Sequence, residues 1–244
     1  MPPRGEDADR TPVVLLHDSL GSVSLWRRFP ARLACILKRP VVAYDRLGYG
    51  RSAPYPGAQP PSFIDDEASS GFAAVREHLG LARFMVLGHS VGGCMAAAIA
   101  AMYPEACQGL ITVAAQAFTE PRTLVGIRTA ERAFAVPGQM ERLARHHGDK
   151  ADWVLRAWVD TWHSEPFRHW RLDEALGGVR CPTLAVHGER DEYGSPQQPR
   201  RIAALTPGPA DPLMLPDCGH VPHRECPERL IDGIASFVAA STAC

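Results

Sequence analysis

The sequence predicts an α/β protein: a mostly parallel, doubly wound sheet with a helical segment inserted into it. Three observations carry this reading. Short apolar runs rich in β-formers recur between segments with helical spacing. Residues 118–178 carry helical patterns and no convincing strand. The stretch Phe84-Met85-Val86-Leu87-Gly88-His89-Ser90-Val91-Gly92-Gly93 reads as a buried strand, a very tight corner and the start of a buried helix. Strands alternating with helices imply a parallel sheet covered on both faces, with right-handed crossovers.

Bulk properties narrow the field. A chain of 244 residues has room for one substantial core, or one core carrying a small insertion. A formal net charge of −1 argues against a nucleic-acid partner and against a polybasic membrane-surface protein. No apolar run approaches the ~20 residues needed to span a bilayer. Residues 1–7 carry acidic side chains and no apolar core, so no signal peptide is expected there. Seven cysteines are scattered singly, without a Cys-x-x-Cys pair. The expectation is a reduced, cytoplasmic protein whose cysteines mostly serve as buried packing residues.

Taken in order, residues 1–10 are polar and expected to fray. Val13–Leu16 is a continuous apolar run, as a strand buried on both faces requires. It empties into His17-Asp18-Ser19-Leu20-Gly21. Residues 24–37 show helical spacing, with Trp26, Phe29, Leu33 and Leu37 on one side. A strand over 41–44 follows, then a proline-rich loop over 54–61 and a helix over 62–79. After the tight corner and its helix comes a strand over 110–114. The inserted stretch holds helix-like segments at 121–135, 138–147, 150–163 and 168–176. The α/β alternation resumes with a strand over 181–188, a helix over 199–205, a strand over 213–215 and a helix over 228–239. The expected division is a core of 1–117 and 179–244 with a helical cap of 118–178.

Ser90 sits at the apex of the corner, with Gly88 and Gly92 two residues to either side. So sharp a corner strains the serine backbone and leaves no room for side chains at the flanking positions. It lifts one hydroxyl to the mouth of a helix, where backbone N–H groups are free. A Gly/Ser loop before a helix looks similar in isolation; the strand before and the helix after favour a nucleophile. A serine hydroxyl needs a base, and the base needs an orienting group. In such sheets these groups collect at the carboxyl ends of strands. His220, after the strand over 213–215, is the candidate base, with His223 as its rival. Asp191, after the strand over 181–188, is the candidate orienting group, with Glu189 and Glu192 as rivals. His17 and His89 are expected to hydrogen-bond loop backbone. His146-His147 reads as a solvated helix end rather than a metal pair, since nothing completes a ligand set at zinc spacing. The oxyanion hole is expected from the N–H groups of Val91 and, by position, Ser19.

Five pieces run in one family order along nearly the whole chain. They are Leu15-Leu16-His17; Asp45-Arg46-Leu47-Gly48-Tyr49-Gly50-Arg51-Ser52; Gly88-His89-Ser90-Val91-Gly92-Gly93; Gly188-Glu189-Arg190-Asp191; and Cys218-Gly219-His220-Val221-Pro222 with Glu225 and Pro227-Glu228. Together they resemble the α/β-hydrolase fold family, in its small bacterial serine-esterase and C–C hydrolase branch. The resemblance implies the α/β-hydrolase fold with a helical lid over Ser90, and acyl transfer by Ser90, His220 and Asp191. It leaves substrate open, because the same elements serve many reactions. A thioesterase or a C–C bond hydrolase with the same triad, and a ligand-sensing receptor on the same fold, are the alternatives. A serine nucleophile argues against the family's dehalogenases and epoxide hydrolases, which use Asp.

The chain departs from the family at His17-Asp18, where the family has His-Gly. Asp18 there either reshapes the oxyanion loop or sets a carboxylate beside the pocket. The family's opening β-hairpin edge also looks absent. Trp158 and Trp162 lie one turn apart and share a helix face, as core of the lid or as pocket walls. Acidic and basic residues are nearly balanced across the lid, which gives no support for a strongly anionic substrate. A medium-sized apolar or aromatic acyl ester is expected. No cofactor or metal is implied, a small-molecule ester is the expected partner, and oligomeric state is left open.

Overall fold

Side-chain alternation along the strands sets the layers of the molecule. The computed structural model describes residues 11–241; residues 1–10, expected to fray, lie outside the described residues. Its strands are β1 (Val13–Leu16), β2 (Val41–Ala43), β3 (Phe84–His89), β4 (Cys107–Val113), β5 (Thr183–Gly188) and β6 (Ala210–Leu215). They form one sheet in the order β2-β1-β3-β4-β5-β6, and all five pairings are parallel. Val13, Leu15, Met85, Leu87, Ile111 and Val113 face one apolar cluster. Val14, Leu16, Val86 and Leu110 face the other. This is the period-two pattern of a sheet buried on both sides.

The helices follow from the same logic. In chain order they are α1 (Phe29–Leu37), α2 (Phe63–Ser69), α3 (Gly71–Leu79), α4 (Val91–Met102), α5 (Pro121–Phe134), α6 (Gln139–His147), α7 (Ala151–His163), α8 (Asp173–Gly178), α9 (Gln197–Leu205), α10 (Pro222–Glu225) and α11 (Pro227–Ser241). Phe29 and Leu33 of α1 and Leu230, Ile231, Ile234 and Val238 of α11 cover one face. Phe72 of α3 and Ile202 of α9 join α2, α4 and α8 on the other. Helix α4 is buried almost all round because Gly92, Gly93 and a run of alanines let it lie close to the sheet. No helix among the described residues is long and apolar enough to cross a membrane.

Several elements differ from the sequence expectation: β4 starts at Cys107 rather than at 110, and four others differ as follows. The helix over 24–37 is broken: a 3₁₀ turn, Val23–Trp26, ends at Arg27, whose φ of 53° and ψ of −120° stop the helix. The helix over 62–79 is cut at Ser70, whose N–H and hydroxyl both bond the Asp66 carbonyl and end α2. Residues 168–172 are not helical, and α8 begins only at Asp173. Strand β6 starts earlier than expected, at Ala210, and contains Pro212. A proline is tolerated there because β6 is the sheet's edge.

The segment between β4 and β5 contains α5 to α8 and two 3₁₀ turns, Gly148–Lys150 and Glu165–Phe167. Its two ends meet. Phe118 and Arg171 form an antiparallel bridge. Leu172 N–H bonds the Ala117 carbonyl at 2.8 Å, and Thr119 N–H bonds the Trp170 carbonyl at 3.2 Å.

Candidate active site

The end of β3 and the start of α4 make the site's sharpest feature. Ser90 has φ 55° and ψ −126°, a backbone region that a side-chain-bearing residue enters only when its surroundings force it. A Cβ on Gly88 would collide with the Gly92 carbonyl, and one on Gly92 would collide with the Leu16 carbonyl. Ser90 N–H bonds the Val113 carbonyl at 2.8 Å, which pins the corner to β4. The N–H of Val91, at the first helical position, and the N–H of Ser19 have no hydrogen-bond partner among the described residues.

Two other loops meet this corner. His220 Nε2 lies 3.0 Å from Ser90 Oγ, and His220 Nδ1 lies 2.9 Å from Asp191 Oδ2. The other Asp191 oxygen accepts the N–H groups of Tyr193 at 2.7 Å and Gly194 at 3.1 Å. With a carboxylate on Nδ1, the neutral ring keeps its proton there and leaves Nε2 free to accept. Burial pulls the His220 pKa down, but the charge and hydrogen bond of Asp191, with Glu192 and Asp18, hold it above the ordinary imidazole value. Burial pushes Asp191 up, but His220, His187 and the Tyr193 N–H hold it below the usual carboxylate range. The rival His223 faces Trp26, Phe29 and His89 instead, and burial pushes its pKa down to about 2. Of the carboxylate rivals, Glu192 lines the cavity above Ser90.

The base loop is held from several sides. Glu225 accepts the Gly219 N–H at 2.6 Å and the Val221 N–H at 2.8 Å, one on each side of His220. Cys218 and Cys226 are joined in a disulfide across the same loop. This corrects the expectation of a fully reduced cysteine set. The short helix α10 folds the chain back and brings their Cα atoms to 6.5 Å, a proximity that their scattered spacing does not reveal. Cys94, Cys107 and Cys181 are buried and free, as packing residues are, and Cys35 is exposed.

Asp18 sits beside the pocket and joins two loops. Its Oδ1 accepts the Leu20 N–H at 2.9 Å, and its Oδ2 lies 3.2 Å from His89 Nδ1. His89 Nε2 donates to the His220 carbonyl at 2.7 Å. Burial raises the Asp18 pKa, but His89, His17 and the Leu20 N–H outweigh it and keep the carboxylate ionised. The expected bond from His89 to loop backbone is present; its link to Asp18 is not visible in the sequence, because the two residues are far apart there.

His146-His147 is not a solvated helix end. His147 is buried; its Nδ1 accepts the Gly50 N–H at 2.9 Å and its Nε2 donates to the Leu20 carbonyl at 3.0 Å. His146 Nδ1 lies 2.8 Å from Ser24 Oγ. The pair ties α6 to the core, which the local sequence pattern did not suggest.

A cavity of about 370 Å³ opens over Ser90 and His220. Asp18 and Ser19 line it from the core. Ile127 and Phe134 of α5, Leu143 of α6 and Trp158 and Trp162 of α7 line it from the inserted segment. Trp162 is buried and Trp158 half-buried, so this helix face serves as both core and wall. No group of three or more metal-ligating side chains occurs among the described residues.

Residues 11–152 match a family model described as alpha/beta hydrolase fold. A (Lyso)-N-acylphosphatidylethanolamine lipase from Mus musculus is 35% identical over 108 residues, which are 44% of this chain and 31% of that protein. The match thus spans under a third of that relative's length. Among solved structures, a bacterial membrane phospholipase A gives a TM-score of 0.78 at 20% identity, covering 96% of this chain and 80% of that one. A thermophilic esterase from Thermogutta terrifontis gives 0.73 at 23% identity, covering 95% and 90%. These structural likenesses show the fold.

Proposed function

The chain belongs to the α/β-hydrolase fold family, and from that premise we propose that it hydrolyses carboxylic esters through an acyl-enzyme on Ser90. The observation that carries this is the unbroken line from Ser90 Oγ through the His220 ring to the Asp191 carboxylate, at 3.0 and 2.9 Å. His220 takes the serine proton as Oγ attacks the ester carbonyl. Asp191 stabilises the imidazolium that results. The free N–H groups of Val91 and Ser19 hold the oxyanion of the tetrahedral intermediate. His220 then gives its proton to the leaving alcohol, activates water and releases the acid. Cavity volume and the apolar side chains of α5 to α7 suit a medium-sized acyl group.

Ser90→Ala tests the reading. A fluorophosphonate probe should label the wild type and not the variant. Hydrolysis of p-nitrophenyl esters should fall on the order of 10³-fold or more, with the fold retained. Full ester turnover in the variant refutes the role of Ser90. Labelling of the wild type without turnover of any ester favours a ligand-sensing receptor instead.

A further inference from the structure

The charge balance of the inserted segment holds only as a sum. Helix α6 turns Gln139, Arg142, Leu143 and His146 toward the cavity, at the i, i+3, i+4, i+7 spacing of one helix face. Arg224 reaches the same cavity from α10. Its Nη2 donates to the Leu25 carbonyl at 2.9 Å, while His146 Nδ1 meets Ser24 Oγ at 2.8 Å. Arg224 and His146 therefore converge on one short turn, Val23–Trp26, which Arg27 ends.

These cations are not neutralised. Among the described residues no carboxylate lies within 4.0 Å of Arg27, Arg142, Arg145 or Arg224. Two arginines elsewhere on the inserted segment are paired, Arg156 with Glu131 and Asp160, and Arg168 with Glu165. The cavity does contain carboxylates, but they sit on the triad side. Asp18 is hydrogen-bonded to His89 and Leu20 and also favours the Arg224 charge from a distance, and Glu192 acts on His220 and Tyr193. His146 reports the imbalance. Burial, Arg224, Arg145 and Arg27 all push its pKa down, and no carboxylate offsets them. The cavity is thus negative beside His220 and positive toward α6.

We propose that this positive end is an anion subsite: the substrate is an ester carrying a carboxylate or phosphate, held by Arg142 and Arg224. This rests on the ester reading above for the chemistry at Ser90. A guanidinium keeps its charge and presents a fork that matches either anion. Both arginines line the cavity with no carboxylate among the described residues in salt-bridge reach, so an entering anion finds two open guanidinium groups. The near balance of charge across the segment hid this, because a sum does not show that Arg142 faces the cavity, and Arg224 lies outside the segment.

Paired esters test the proposal. One arm compares mono-p-nitrophenyl glutarate with p-nitrophenyl pentanoate, which has the same chain length. The other compares an acylglycerol phosphate with the same acylglycerol. The wild type should favour the anionic member of at least one pair by roughly tenfold or more in kcat/KM. The preference should lie mainly in KM and weaken with added salt. The arm showing it tells carboxylate from phosphate. Arg142→Gln and Arg224→Gln should each lower the ratio, and the double variant should bring it close to one. A wild-type ratio at or below one in both arms overturns the subsite, as does a preference that the double variant keeps. A second measurement covers an enzyme that cleaves none of these esters. Free glutarate or inorganic phosphate should raise the melting temperature of the wild type and not of the double variant. If so, the subsite stands and the ester reading alone fails. If neither anion stabilises the wild type and no ester is cleaved, both fail.

Discussion

Replacing Asp191 by Asn is the most demanding test of the proposed relay, because every partner of that carboxylate is a donor. Oδ1 accepts the N–H groups of Tyr193 and Gly194, and Oδ2 faces His220 Nδ1 and, at 3.3 Å, His187 Nε2. An amide has one oxygen for these two sets. Backbone N–H groups cannot change their proton, so the amide oxygen turns to them and the NH₂ turns to His220. The imidazole can answer by moving its proton from Nδ1 to Nε2. His187 can still donate to the Gly194 carbonyl, 3.2 Å away. The fold therefore survives, but Nε2 now carries a proton and cannot take one from Ser90. A wrong tautomer of this kind costs about 10⁴-fold in kcat, or about 5.5 kcal/mol at about 1.4 kcal/mol per decade. Initial rates on a short-chain p-nitrophenyl ester near about pH 8, beside circular dichroism and a melting curve, measure this. A loss below about tenfold in a folded variant would falsify the relay.

Three further outcomes follow from the geometry. His220 must be neutral to act as base, and its pKa is held above 6.5, so the acid limb of the pH–rate profile should have its midpoint above that value. Stability should run on a different set of groups. His17, His147, His187 and His223 are held neutral with lowered pKa values, so the stability they contribute is present above 6.5 and lost as pH falls below it. His220 has the opposite sign, stabilising below 6.5 and ceasing to do so as pH rises through its own raised value. Urea unfolding at two pH values should show a net loss on the acid side; a gain refutes the assignment. Gly88→Ala drives a methyl group into the Gly92 carbonyl, rigid backbone on both sides. It should destabilise by about 3 kcal/mol or more, and an unchanged melting temperature contradicts the packing described. Glu225→Ala frees the Gly219 and Val221 N–H groups that bracket His220. It should lower kcat by roughly 10- to 100-fold with KM little changed, and Glu225→Gln should restore part of the loss; equal activity in all three proteins rules out a positioning role.

Strands β1, β3 and β5 were legible because burial on both faces demands continuous apolar runs, and such runs survive without tertiary context. Ser90, Asp191 and His220 were legible for a different reason. Each is the polar residue that follows a strand end in a loop, and the glycines around Ser90 mark where backbones approach too closely for a side chain. What escaped detection depends on partners distant in sequence. Nothing near Asp18 announces His89, and nothing near His147 announces Gly50 and Leu20. The start of β6 was hidden because an edge strand is half exposed and tolerates Pro212. Arg27 and Ser70 break helices through backbone geometry and side-chain competition, which apolar periodicity cannot see. Net charge over the inserted segment is a sum without direction, so it missed that Arg142 of α6 faces the cavity that Arg224 reaches from α10.

The joined base of that inserted segment gives it a single point of attachment to the strands. Because Phe118 meets Arg171 and Ala117 meets Leu172, the chain leaves β4 and returns toward β5 through almost a single point. Exchange, shortening or duplication of everything between those residues asks little of the strands beneath. Recombination at that seam offers a route to new substrate ranges where the bonds from Glu120 and Thr123 to the loop after Asp191 are kept.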